Sequence, residues 1–205
     1  MAYFTTGFIQ FFKELAANND TAWFNDNRKT YEQEVKKPFT AFIDDMIARI
    51  QKEEPEVRIK AADAIMRINK DIRFAKDKKP YNLHTAANIS RFGKKDKSYP
   101  GFYIQLGADE VRVIGGSYMI EPEPLLKIRK YIAAHTQRFA DARTDKSFVS
   151  SFGSIAGEQN KRLPAELQQA AEQEPLIANK QFFYAATFPS QMITAPDLPD
   201  QLMHH

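Results

Sequence analysis

A chain of 205 residues with 43% apolar and 27% charged side chains, including 16 Phe and 8 Tyr, has a globular composition and enough apolar mass for one sizeable core. It contains no cysteine, which excludes disulfides, thiol nucleophiles and thiolate metal sites and makes the cytoplasm the expected compartment; no apolar run approaches the roughly 18 residues of a membrane span. The net charge of +3 is too small to imply nucleic acid, but it is unevenly placed: residues 58–97 carry twelve Lys and Arg against four Asp, a local +8, leaving −5 for the remainder.

In chain order, Phe8, Phe11, Phe12 and Leu15 recur at helical spacing behind Thr5 or Thr6 as a cap, and Asn18 and Asn19 end that helix. A second helix is expected from Asp20 or Thr21 through Trp23, Phe24, Asn27, Tyr31 and Val35. Pro38 interrupts it or opens a third, with Phe39, Phe42, Ile43, Met46, Ile47 and Ile50 inward. After Pro55 the period changes. From Met66 to Phe74 the even positions are mostly apolar and the odd ones, Arg67, Asn69, Asp71 and Arg73, are polar, which predicts a strand. Phe102 to Leu106 and Val111 to Val113 read as a hairpin around "GADE" that closes at Gly115 and Gly116. Helices are expected from Pro122 through Ile132, around Lys146 to Phe152, and from Pro164 to about Gln173, and a last strand over Gln181 to Phe188. The tail, "DLPDQLMHH", reads as the opening turn of an amphipathic helix cut short before it buries anything, its two histidines native or the stub of a tag.

The stretch "RINKDIRFAKDKKPY" carries the candidate chemistry. On a strand, Arg67, Asn69, Asp71 and Arg73 would stand in a row about 20 Å long, because alternate residues share a face. An Asp beside an Arg holds the guanidinium in one orientation and leaves its other donors free for a carboxylate or phosphate. Lys76 and Lys78 follow as loop cations before Pro80, with Asp77 between them and Tyr81 as a hydrogen-bonding wall. Asp71, Asp77 and His84 are the candidate acids and bases. The same pattern also fits a solvent-facing sheet with weak cross-strand ion pairs. A third reading is a nucleic-acid surface, for which Lys94, Lys95 and Lys97 beside aromatic residues speak.

Other chemistry is thinner. His84 and His135 lack a second histidine at metal-ligand spacing, so a structural role is expected for each and no metal or cofactor is assigned. Asp71 and Asp77 with Glu121 or Glu123 could hold magnesium beside a phosphate, although such spacings arise by chance. Gly115 and Gly116 read as a turn, since no Lys-Ser or Lys-Thr follows them. Trp23 reads as a core anchor, with Asn27 and Tyr31 either capping partners or the lining of a cleft.

Together, "NNDTAWFNDNRKTYEQEVKKPF", "RINKDIRFAKDKKPY", "YPGFYIQL" and "GGSYMIEPEPLLKIR" resemble the bacterial and fungal family catalogued as domain of unknown function 2461, over about residues 8 to 188. The family pattern falls on Trp23, Phe24, Asn27, Tyr31, Arg67, Asp71, Arg73, Phe74, Lys76, Asp77, Lys78, Pro80, Tyr81, Gly115, Gly116 and Arg129. The chain departs from it at Lys70, where the family often has Arg, and at Ala75, where it often has Ser; the loss of that hydroxyl argues against a serine nucleophile there. The resemblance supplies no activity and implies a further C-terminal helix.

The sequence therefore predicts one α+β domain over residues 1–205, mainly antiparallel, with helices packed on the sheet. Its expected function is to bind a small phosphate- or carboxylate-bearing molecule, with or without enzymatic conversion of it. The alternative is a non-catalytic module whose basic surface docks on nucleic acid or an acidic protein. No membrane partner is expected.

Overall fold

A computed structural model describes residues 1–73, 77–95 and 98–204. The chain divides into two compact units, the first comprising Met1–Lys95, Phe102–Val113 and Thr187–His205, the second Asp96–Gly101 and Ile114–Ala186. Its class is α+β, with a four-stranded antiparallel sheet of order β1-β2-β3-β4 formed by His84–Ser90, Gly101–Gly107, Glu110–Ser117 and Phe182–Pro189. No helix among the described residues is long and apolar enough to cross a membrane.

The first unit opens with helices whose starts are fixed by side-chain caps. The Thr5 hydroxyl accepts from the Gly7 N–H at the head of α1 (Thr6–Ala17), and the Asp20 carboxylate accepts from the Trp23 N–H at the head of α2 (Thr21–Asp26). Asn27 ends α2 where the sequence suggested one continuous helix. The chain then runs through the short α3 (Arg28–Thr30) and a widened π-turn (Tyr31–Lys36) into α4 (Lys37–Glu53). In that turn the Lys37 N–H reaches back five residues to the Glu32 carbonyl. The widening falls immediately before Pro38, whose ring in a regular α-helix would press on the carbonyl four residues earlier.

These helices bury Phe8, Phe12, Phe39 and Phe42 to 1% exposure or less against Ile89, Ile104 and Leu106 of the sheet. Each such side chain contributes about 1.5–3 kcal/mol of transfer free energy. The one-turn α5 (Ala61–Ala64) leads to the Met66 segment. The tail departs from expectation. Its helix, Leu198–Met203, buries Leu198 and Leu202 in this same core and sends Asp200 to Arg49 at 2.6 Å.

The second unit contains α6 (Pro122–Ala134), α7 (Thr136–Arg143), α8 (Lys146–Phe152) and α9 (Ala165–Gln173); numbered in chain order, the tail helix of the first unit is α10. Its core is small: Ile132, Leu167 and Ile177, with Leu126, Ile128 and Phe139 packed against them. Arg129 is 5% exposed and donates to the carbonyls of Ala178 and Asn179, closing the 3₁₀ turn Pro175–Ala178. Gly115 and Gly116 are not a turn. Strand β3 runs through them; the Tyr184 ring occupies the space a side chain at 115 would need, and Gly116 has φ +117°, which a side chain would disfavour.

Candidate functional site

The Met66 segment is not a regular strand. It makes two isolated antiparallel bridges, Ile65 with Ala87 in β1 and Asn69 with Tyr81 on the limb that leads into β1. Alternation of exposure survives without a continuous ladder: Arg67, Asn69, Asp71 and Arg73 are exposed, while Ile68 is buried and Met66, Lys70 and Ile72 are partly so. Apolar patterning thus sets which way the charges point, although the backbone forms two isolated bridges in place of the expected strand.

The pairing is broken for a countable reason. Between the two bridges three residues, 66–68, face five, 82–86. The Met66 N–H bonds the Ala86 carbonyl and the Asn82 N–H bonds the Ile68 carbonyl, each at 2.8 Å, and the two surplus residues between them bow out of the pairing. An open hollow of about 390 Å³ lies at this break, lined by Met66, Arg67, Asn82, His84, Ala86 and Lys94.

Each polar group there is held differently. Lys94 follows Gly93, whose φ of +66° favours glycine and whose Cα lies so close to α5 that an added Cβ would come within 2.7 Å of the Asp63 carbonyl. That close approach delivers the Lys94 ammonium to the carbonyls of Ala62 and Ile65, at 2.6 and 2.7 Å, where it caps the otherwise unpaired end of α5. Two of its three protons are committed. Arg67, by contrast, makes no hydrogen bond or ion pair among the described residues. His84 begins β1 over Gly107, where an added Cβ would meet the Leu83 carbonyl at 3.2 Å and the His84 Cβ at 3.4 Å. Burial pushes the His84 imidazole below its ordinary value, opposed by the charge of Glu110, so the ring is neutral near pH 7. Among the described residues no acidic side chain lines the hollow.

The other expected site residues lie elsewhere. Asp71 and Arg73 form a two-point pair, Nε to Oδ1 at 3.0 Å and Nη2 to Oδ2 at 2.7 Å, with the Arg73 side chain 77% exposed. That pair, with the added charge of Arg67, holds the Asp71 carboxyl below the usual carboxylate range. Asp71 therefore orients Arg73 as the sequence suggested, but neither lines the hollow. Asp77 is bound to Lys70 at 2.6 Å, which lowers its pKa too and leaves it poorly placed as a base. Lys78 donates to the Ile72 carbonyl at 3.1 Å. Lys76, with Phe74 and Lys97, lies outside the described residues. Tyr81 is a core residue, 6% exposed and stacked on Phe24 at 4.0 Å, rather than a wall of the hollow.

Asn27 donates to the Trp23 carbonyl and so acts in capping, and Tyr31 packs on Phe11 and Phe24, burial pushing its hydroxyl up to about 12. Glu123 pairs with Lys127 one turn on, and among the described residues no group of three or more His, Asp or Glu could hold a metal ion. The second unit has larger but shallower hollows, of about 440 and 530 Å³. In the first of these Lys130 is paired with Glu166 at 3.1 Å, and in the second Lys161 and Arg162 share the lining with Glu172.

Asn82, Met66 and Ala86 were not singled out by the sequence, and Lys94 only as part of a basic surface. No local signal marks them, since residues 85–87 are buried without alternation and the other lining residues come from separate stretches of the chain.

The sequence matches the family described as conserved hypothetical protein (DUF2461) over residues 7–205, and the chain belongs to it. No curated protein and no solved structure matches it.

Proposed function

We propose that this DUF2461 chain binds a small phosphate- or carboxylate-bearing molecule in the hollow between Arg67 and Lys94. The observation that carries the reading is Arg67 itself: a permanently charged, fork-shaped donor that, among the described residues, makes no hydrogen bond or ion pair, stands beside a second cation and shares the hollow with no carboxylate. Such a guanidinium is available for two-point contact with an oxyanion, and Lys94 adds a fixed positive charge that its carbonyl contacts keep from swinging away. Met66 and Ala86 supply an apolar wall for the rest of the ligand. If chemistry follows binding, the neutral His84 is the base at hand, and proton or phosphoryl transfer is the reaction type these groups support. A thermal-shift panel of nucleotides, sugar phosphates and carboxylic acids tests the reading, because a ligand that binds only the folded state raises the melting temperature by mass action. If no compound stabilises the protein, the reading fails.

A second reading rests on a different observation. Phe92 is 53% exposed with the Arg91 guanidinium 5.3 Å from its ring centre, an arrangement that suits base stacking on a basic surface. Salt separates the two: affinity for nucleic acid falls linearly and steeply in log salt concentration, whereas one gripped anion responds weakly.

A further inference from the structure

We infer that the hollow selects an anion carrying a hydroxyl group next to its charge, a sugar phosphate or a hydroxy acid, over a bare anion of the same size. This rests on the anion-binding reading and deepens it. The argument is an inventory of unused hydrogen-bonding capacity. Arg67 and the third proton of Lys94 are donors only, and they account for the anion. Two acceptors then remain with no protein partner among the described residues. The Asn82 side-chain amide makes no hydrogen bond, its backbone N–H alone being tied, to Ile68. The neutral His84 ring likewise has no partner, and in that state one of its nitrogens must accept.

Both side chains line the same hollow as the two cations. A phosphate or carboxylate without a donor satisfies the cations and covers these acceptors without pairing them, which costs the desolvation of each. A hydroxyl placed beside the anion restores the bond. Sites built to bond a hydroxyl discriminate strongly against the analogue that lacks it, and here His84 would accept that hydroxyl's proton in the hydrogen bond without any covalent step.

Matched pairs that differ only by hydroxyls test this. Glycerol 3-phosphate is compared with propyl phosphate, and glycerate with propionate, by calorimetric titration near pH 7.5. The first member of whichever pair binds should be tighter by about tenfold or more. That preference should shrink in His84→Phe and in Asn82→Ala. Which pair binds distinguishes a phosphate ligand from a carboxylate one. Equal affinity for both members in the wild type overturns this inference and leaves the anion site standing. Binding of neither pair removes the site and the inference together. The wild-type comparison decides the matter even if a variant fails to fold.

Discussion

The ammonium group of Lys94 lies 2.7 Å from the carbonyl oxygen of Ile65, the residue that ends α5 and opens the bridge to β1. A side chain that borders the hollow is therefore also a bolt in the wall. Lys94→Met removes two charge-assisted hydrogen bonds, an exposed one to Ala62 and a half-buried one to Ile65, so it should destabilise the protein by about 1–2 kcal/mol. Arg67→Ala should change stability by less than about 0.5 kcal/mol, because among the described residues that guanidinium makes no hydrogen bond or ion pair and only its exposed charge acts on Asp71. Urea unfolding of the two variants checks the contrast; equal losses would show that one of these roles is misassigned.

Asn19 makes a comparable anchor from the helical side. Its amide donates to the Tyr81 carbonyl at 2.9 Å and accepts from the Tyr81 N–H at 3.1 Å, imitating a strand partner for a buried residue just before the hollow. Asn19→Ala leaves both backbone groups unpaired at a cost of about 1–3 kcal/mol. Hydrogen exchange at the Tyr81 amide should accelerate in the variant, and unchanged exchange there would mean that another group holds this limb.

The pH dependence follows from the depressed pKa of His84. Because the folded state favours the neutral ring, the unfolded chain takes up its proton first, near the ordinary value of 6.5. This contribution to stability is complete above that value and is lost as pH falls below it, until the folded ring is protonated as well. His84→Gln should flatten the decline in melting temperature between about pH 7.5 and 5.5. Ligand binding should respond with two opposite signs. A bare anion binds more tightly as pH falls, since the imidazolium adds a third cation, whereas the preference for hydroxylated anions shrinks as the acceptor nitrogen is lost. Titrations at both pH values would detect the crossing, and parallel changes would place the hydroxyl elsewhere than at His84.

How much of this was readable beforehand depends on which forces act locally. The caps at Thr5 and Asp20 and the helical stripe of Phe8, Phe11, Phe12 and Leu15 are sequence-local, and they appear where their spacing put them. The outward direction of Arg67 was readable for the same reason, since alternation in apolar character decides which side is buried. Strand β1 was not. Thr85, Ala86 and Ala87 are all buried, so "HTAANIS" shows no alternation, and its pairing partners are distant in sequence. Nor was the meeting of Arg67 with His84, because it depends on a register break between two limbs that no single stretch encodes. Asp77 looked like a base because its partner Lys70 sits across a turn. Tyr81 looked like a site residue because its neighbours are charged, whereas Phe24 and Asn19 draw it inward.

The most direct test of the account is a calorimetric titration of glycerol 3-phosphate and glycerate into three proteins: wild type, Arg67→Ala and Arg73→Ala. Arg67 reaches the hollow, while Arg73 is bound to Asp71 outside it. Wild type and Arg73→Ala should bind one of the two compounds alike, and Arg67→Ala should lose about tenfold or more in affinity. Binding that survives Arg67→Ala, or that disappears with Arg73→Ala, would contradict it.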